Sequence, residues 1–336
     1  MKDSILVTGG AGMIGSNLVK RLVSLDFEVF VVDNLWRGRI ENLKNSNGDF
    51  VIDIKNNFFN IDLSKENIEI DNVLSKVNYI IHLADIVAGI NYVFKNQGDI
   101  FRENILINSN VINSVKKFKD KISGFIYIGT ACSFPQNLQN QLNLPPLKES
   151  DLYPAYPESG YGWSKLMGQY ETELLEKEYN VSTCTLMLHN VYGCPSDYSR
   201  EKSQVIPSLI RKAVEFPSVK FDVWGSGTQG RAFVHVNDVV DAIILALKNG
   251  LGKGTFQIGP SECISIKEIA ETIIEISGKD IIPYYDLSKP EGDKARSADF
   301  SRAKKILGWS PNVGLKMGLS ELYSWIEKEI LLGYGK

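Results

Sequence analysis

Histidine and cysteine are scarce in this chain of 336 residues. Its three histidines, His82, His189 and His235, stand far apart, and its four cysteines, Cys132, Cys184, Cys194 and Cys263, lack C-x-x-C spacing. So sparse a set assembles neither a zinc site nor a disulfide framework, and no metal is expected. Long apolar runs are missing too, since no stretch approaches the roughly 20 residues of a membrane span. The first apolar strand begins at Ser4, which leaves no room ahead of it for a secretory leader, and a cytoplasmic location is expected. An excess of one charge is also absent: 37 Lys+Arg against 40 Asp+Glu give a net −3 without a basic stripe, so neither nucleic acid nor an anionic membrane is an expected partner. Repeats and low-complexity tracts are lacking.

What is present is most concentrated at the start. Ser4 to Val7 breaks into Thr8-Gly9-Gly10-Ala11-Gly12-Met13-Ile14-Gly15 and then into a helix-period stretch. Strand, glycine turn and helix in that order suit a pyrophosphate. Gly9 and Gly12 allow the backbone a close approach, Gly15 lets the helix pack near the strand, and the helix N-terminus offers N–H groups to the anion. Leu18, Leu22 and Leu25 continue the apolar stripe, and Val29 to Val32 reads as a buried parallel strand ending in Asp33, followed by Asn34. A carboxylate there accepts both ribose hydroxyls of an adenosine and repels a 2′-phosphate, so NAD is expected over NADP, with Arg37 the counter-candidate for a phosphate.

Strands and helices alternate thereafter. Strands are expected at 58–61, 78–83, 121–129 and 181–188, helices at 100–119 and 159–179, and a surface loop over the site at 135–158. This alternation predicts an α/β fold, a Rossmann-type doubly wound parallel sheet with a smaller C-terminal substrate domain. Residues 1–189 plus 229–262 are expected to bind NAD, and 190–228 plus 263–336 the substrate. Tyr161-Gly162-Trp163-Ser164-Lys165 carries the chemistry: residues four apart share a helix face, so an ammonium should stand beside a phenol. Lys165 together with a cationic nicotinamide ring is expected to bring the Tyr161 pKa from ~10 to about 7, so that the phenol exchanges a proton with an alcohol while its hydride leaves.

With these residues the chain resembles the extended short-chain dehydrogenase/reductase family in its nucleotide-sugar branch. The glycine motif, Asp62-Leu63, His82-Leu83-Ala84, Asn104, Thr130, Tyr161 with Lys165, His189-Asn190-Val191-Tyr192-Gly193, Arg231 with His235-Val236-Asn237-Asp238, and Gly308-Trp309 fall in family order over nearly the whole length. The resemblance implies that Asp62 and Leu63 line the adenine, Ala84 lies along the cofactor, Thr130 and Tyr161 hydrogen-bond the reacting sugar oxygen, and Lys165 also holds the nicotinamide ribose. Gly9, Gly12, Met13, Ile14, Asp33, Asn34, Leu83 and Asn104 complete the implied cofactor set. The family usually has a second alanine where this chain has Asp85. Paired helices of the family imply a homodimer through 100–119 and 159–179.

Within the branch, Val87-Ala88-Gly89-Ile90, Thr130-Ala131-Cys132-Ser133-Phe134-Pro135, and Val205-Ile206-Pro207 leading to Trp224-Gly225-Ser226-Gly227-Thr228 resemble the GDP-sugar enzymes, the GDP-L-fucose synthases and GDP-mannose 3,5-epimerases, with a GDP-heptose 4-dehydrogenase as one further match. By that resemblance a nucleoside-diphosphate sugar, GDP-linked by preference, is the partner, bound by Asn190, Gln204, Val205, Arg211, Lys212, Trp224, Arg231 and Arg296. Ala131-Cys132 replaces the acidic pair that a dehydratase carries after Thr130. Epimerising relatives use a cysteine at Cys132 as base with a His or Lys as acid, but that second position holds Gln204 here, and Lys202 would reach it only after a loop shift. Cys132 reads equally as a base or as a packed small side chain. The expected reaction is NAD-dependent oxidation of a nucleotide-linked hexose or heptose at C4 to a 4-keto sugar. Epimerisation at C4, or at C3 and C5 through Cys132, is the alternative, and an inactive NAD-binding regulator the alternative of another class.

Overall fold

Every residue of the first strand is buried, and this strand lies inside the sheet rather than at its edge. The computed structural model describes residues 2–66, 68–142, 144–289 and 291–333. Seven parallel strands, β1 (Ser4–Thr8), β2 (Glu28–Val32), β3 (Phe58–Phe59), β4 (Tyr79–His82), β5 (Gly124–Thr130), β6 (Thr183–Leu188) and β7 (Gly254–Ile258), stand in the order β7-β6-β5-β4-β1-β2-β3. The Rossmann-type doubly wound sheet is as expected. The third strand stops at Phe59 rather than 61, because Asp62 folds the chain back by accepting from the Ser64 N–H and hydroxyl. The seventh strand, a short run behind glycines 250, 252 and 254, was not singled out from the sequence.

Alternate side chains along the strands face opposite layers. Ile5, Val7, Val29, Val31 and Ile126 pack with α1 (Met13–Ser24) and α5 (Val236–Asn249), while Leu6, Phe30, Ile80 and Phe125 meet α2 (Gln97–Lys117) and α3 (Gly160–Tyr179). A separate core joins α4 (Val205–Glu215), α6 (Ile266–Ser277) and α8 (Leu315–Leu331) through Leu209, Ile210, Ile269, Ile273, Leu319 and Leu322. Ala303 of α7 (Ser301–Ile306), with Leu307 and Trp309, packs in the first core, beyond the boundary expected at residue 263. The reason is Trp309, whose indole N–H donates to the Asp238 carbonyl of α5 at 2.8 Å and whose ring is buried in that core, edge-on to Phe300. Among the described residues no helix is long and apolar enough to cross a membrane.

Candidate active site

The carboxyl ends of β1, β2, β4, β5 and β6 open into one cavity of about 770 Å³ that runs from the glycine turn to the smaller core. Gly9 has φ +69, and a Cβ there would stand 2.9 Å from the Ala84 main-chain N, so the turn lies directly against the end of β4. Thr8 locks that junction. Its hydroxyl accepts from the Leu83 and Ala84 N–H groups, and its own proton goes to His82 Nδ1 at 2.7 Å. Burial and then the Lys165 charge hold His82 at about 3, so the imidazole is neutral with its proton on Nε2, facing Asn108 Oδ1 at 3.1 Å.

The Asp33 carboxylate is buried at the end of β2, accepting from the Ala11 N–H at 2.9 Å and the Leu35 N–H at 2.8 Å. Burial raises its pKa, opposed by those two bonds. Arg37 is turned to other work: it donates to Asp197 at 3.1 Å and to the Val87 carbonyl at 2.9 Å, so its guanidinium is not offered to a 2′-phosphate there. Gly9, Gly12, Met13, Ile14, Asp33, Asn34, Leu63, Leu83 and Ala84 all line the cavity. Asp62 does not, being engaged with Ser64 and Lys65, and Asn104 acts from behind, its amide bonded to both the N–H and the carbonyl of Ile86.

Thr130, Cys132, Tyr161 and Lys165 meet in the middle of the same cavity. Lys165 is 2% exposed, and its Nζ lies 4.7 Å from the centroid of the Tyr127 ring. The residue that joins phenol to ammonium is Asp85, whose Oδ2 accepts from the Tyr161 hydroxyl at 3.3 Å and stands 3.3 Å from Lys165 Nζ. This corrects the expected pKa: the Tyr161 phenol is pushed well above its ordinary value, by burial first and then by the Asp85 carboxylate. Lys165 loses to burial but gains more from Tyr127 and Asp85, and its pKa is raised.

Beyond the phenol, Cys132, Arg231 and Arg296, expected from the sequence, meet two carboxylates that were not, Glu158 and Asp293. Arg296 donates to Cys132 Sγ at 2.9 Å and pairs with the Asp293 carboxylate. Arg231 donates to the Asp293 carbonyl at 2.7 Å, and burial brings its pKa down to about 10. Glu158 faces Asp293, and burial followed by that neighbouring charge pushes its carboxyl up to about 7. Its position three residues before Tyr161 was the one available signal; nothing in the sequence joined Asp293 to it. Asn190, Gln204, Val205, Lys212, Trp224, Arg231 and Arg296 line the cavity. Arg211 does not: it is turned to Glu215 and the Tyr198 carbonyl. Lys212 is tied to Asp222 at 3.0 Å, and Lys202 Nζ stacks 4.4 Å over the Trp36 ring rather than standing at the position of Gln204.

The arrangement suits a dinucleotide beside a phosphorylated ligand, with a proton-exchanging phenol between them. Residues 5–259 match the NAD dependent epimerase/dehydratase family. GDP-mannose 3,5-epimerase 1 of Oryza sativa subsp. indica is 28% identical, over 98% of this chain and 83% of that protein. GDP-L-fucose synthase 1 of Arabidopsis thaliana is 27% identical, over 97% of this chain and 94% of its own. A UDP-glucose 4-epimerase structure from Thermotoga maritima, with UDP-glucose, superposes with a TM-score of 0.84 at 27% identity, covering 97% of this chain and 99% of that one. The chain belongs to the NAD dependent epimerase/dehydratase family, an extended short-chain dehydrogenase/reductase with NAD as cofactor.

Proposed function

We propose that this enzyme oxidises the C4 hydroxyl of a nucleotide-linked hexose or heptose, GDP-linked by preference, to the 4-keto sugar. The observation that carries the reading is the meeting of Tyr161, Lys165 and Thr130 in one cavity with Arg231, Arg296 and Trp224. NAD, when bound, supplies the hydride acceptor. Gly9, Gly12 and the start of α1 would hold its pyrophosphate, and Asp33 its adenosine ribose. Tyr161 Oη exchanges the C4 hydroxyl proton, and the Thr130 hydroxyl orients the same oxygen. Arg231 and Arg296 supply fixed cations for a diphosphate, and Trp224 a face for the base. The preference for GDP draws on the rice and Arabidopsis relatives, whose names specify GDP sugars. A cytoplasmic homodimer through α2 and α3 accompanies the reading, supported by exposed Phe101, Leu106 and Tyr170 on those helices.

Epimerisation is the second reading, and one observation favours it. Gln204 supplies no acid, but Glu158, with a pKa of about 7, faces the Asp293–Arg296–Cys132 chain and is a proton donor on the Cys132 side. Incubation with a panel of GDP- and UDP-sugars in heavy water, read by mass spectrometry, separates the two. A C4 carbonyl without solvent deuterium at C3 or C5 is the expected result. Robust uptake that disappears in Cys132→Ala would replace oxidation with enolisation and epimerisation.

A further inference from the structure

Asp85 holds a position at odds with simple proton exchange. It lies in the loop after β4, next to the Ala84 backbone that abuts the glycine turn, with its carboxylate 14% exposed. Its Oδ2 accepts from the hydroxyl of Tyr161 and stands at the same 3.3 Å from the ammonium of Lys165. A carboxylate so placed makes the phenol harder to ionise, which opposes the advantage that Lys165 alone would give. Its presence therefore calls for a different role.

That role follows from counting charge at the centre. His82 is neutral, and Tyr127 stays an un-ionised phenol because burial raises its pKa, so the charges that meet at Tyr161 are Lys165 and Asp85, and they cancel. Without Asp85 a buried ammonium would stand uncompensated beside the nicotinamide. The oxidised ring is a cation and the reduced ring is neutral, so a lone ammonium disfavours the first and leaves the second nearly untouched. We propose that Asp85 is a charge-balancing residue that sets the redox state the cleft prefers, neutralising Lys165 so that oxidised NAD is held in preference to its reduced form. The inference rests on Tyr161 and Lys165 being the reacting pair. It accords with net oxidation, in which the reduced cofactor must leave, and less with an epimerase that retains reduced cofactor between two half-reactions.

The test needs no sugar, so an error in the substrate assignment leaves it intact. Dissociation constants of NAD⁺, NADH and ADP-ribose are measured by calorimetry for the nucleotide-free full chain and for its Asp85→Asn, Asp85→Ala and Lys165→Met variants. ADP-ribose lacks the nicotinamide ring and reports damage to the rest of the site. The expected result is ADP-ribose affinity held within about twofold in the Asp85 variants, with Kd(NAD⁺)/Kd(NADH) rising about tenfold or more. Lys165→Met, which leaves the carboxylate alone, should move the ratio the opposite way. An unchanged ratio in the Asp85 variants, or ADP-ribose weakened in step with both cofactors, overturns the proposal. Should neither Asp85 variant fold, a ratio in Lys165→Met that is unchanged or raised overturns it equally.

Discussion

At the scale of single residues, Tyr161→Phe removes the hydroxyl that bonds Asp85 and leaves the ring's packing. Turnover is expected to fall by roughly 10²-fold or more with NAD affinity retained, and near-normal turnover would remove the phenol from the reaction. Asp33→Ala should weaken NAD far more than NADP, read as the ratio of their dissociation constants, because the lost carboxylate both accepts ribose hydroxyls and repels a phosphate. Glu158 gives a sign that depends on mechanism. Its carboxyl is neutral below about 7 and charged above. Deuterium uptake that draws on it as an acid would fade as pH rises through that value, whereas simple oxidation would lack this alkaline limb.

At the scale of elements, the strand–turn–helix of the cofactor site was legible because its signal is local: glycines at fixed offsets between two apolar patterns. The same holds for Tyr161 and Lys165, one turn apart on α3. The charge that joins them was not legible as such, since Asp85 lies 76 residues before Tyr161 and its partners depend on how β4 meets α3. Nor did sequence separate Arg296 from Arg211. Both are arginines in plausible places, and packing turns one toward Cys132 and the other toward Glu215. Helix α4 offers an element-scale test. Lys279 Nζ donates to the carbonyls of Ala213, Val214 and Phe216 at 2.7 to 3.2 Å, closing the end of that helix from outside it. Lys279→Met should cost about 1–2 kcal/mol in denaturant unfolding, through lost charge-assisted bonds at a helix C-terminus. A change below ~0.3 kcal/mol would make the contact incidental.

At the scale of the whole molecule, a homodimer through α2 and α3 predicts twice the chain mass of 37.6 kDa in light scattering at micromolar concentration. It also predicts loss of that mass in a Phe101→Glu, Leu106→Glu double variant, since buried carboxylates oppose an apolar contact. A monomer in the parent would discard the interface. The sheet order has another consequence, for biosynthesis. β1 leaves the ribosome before the other strands of its sheet, yet it is flanked by β2 and β4, and the layer that α1 begins over one face of the sheet is completed only by α5 and then Trp309. The nascent chain thus carries part of an apolar sheet face uncovered until α5 and Trp309 are made, the condition in which holding chaperones are engaged and stalled products aggregate. Chains arrested between residues 258 and 309 should be captured or degraded even though every strand of the sheet has already been made.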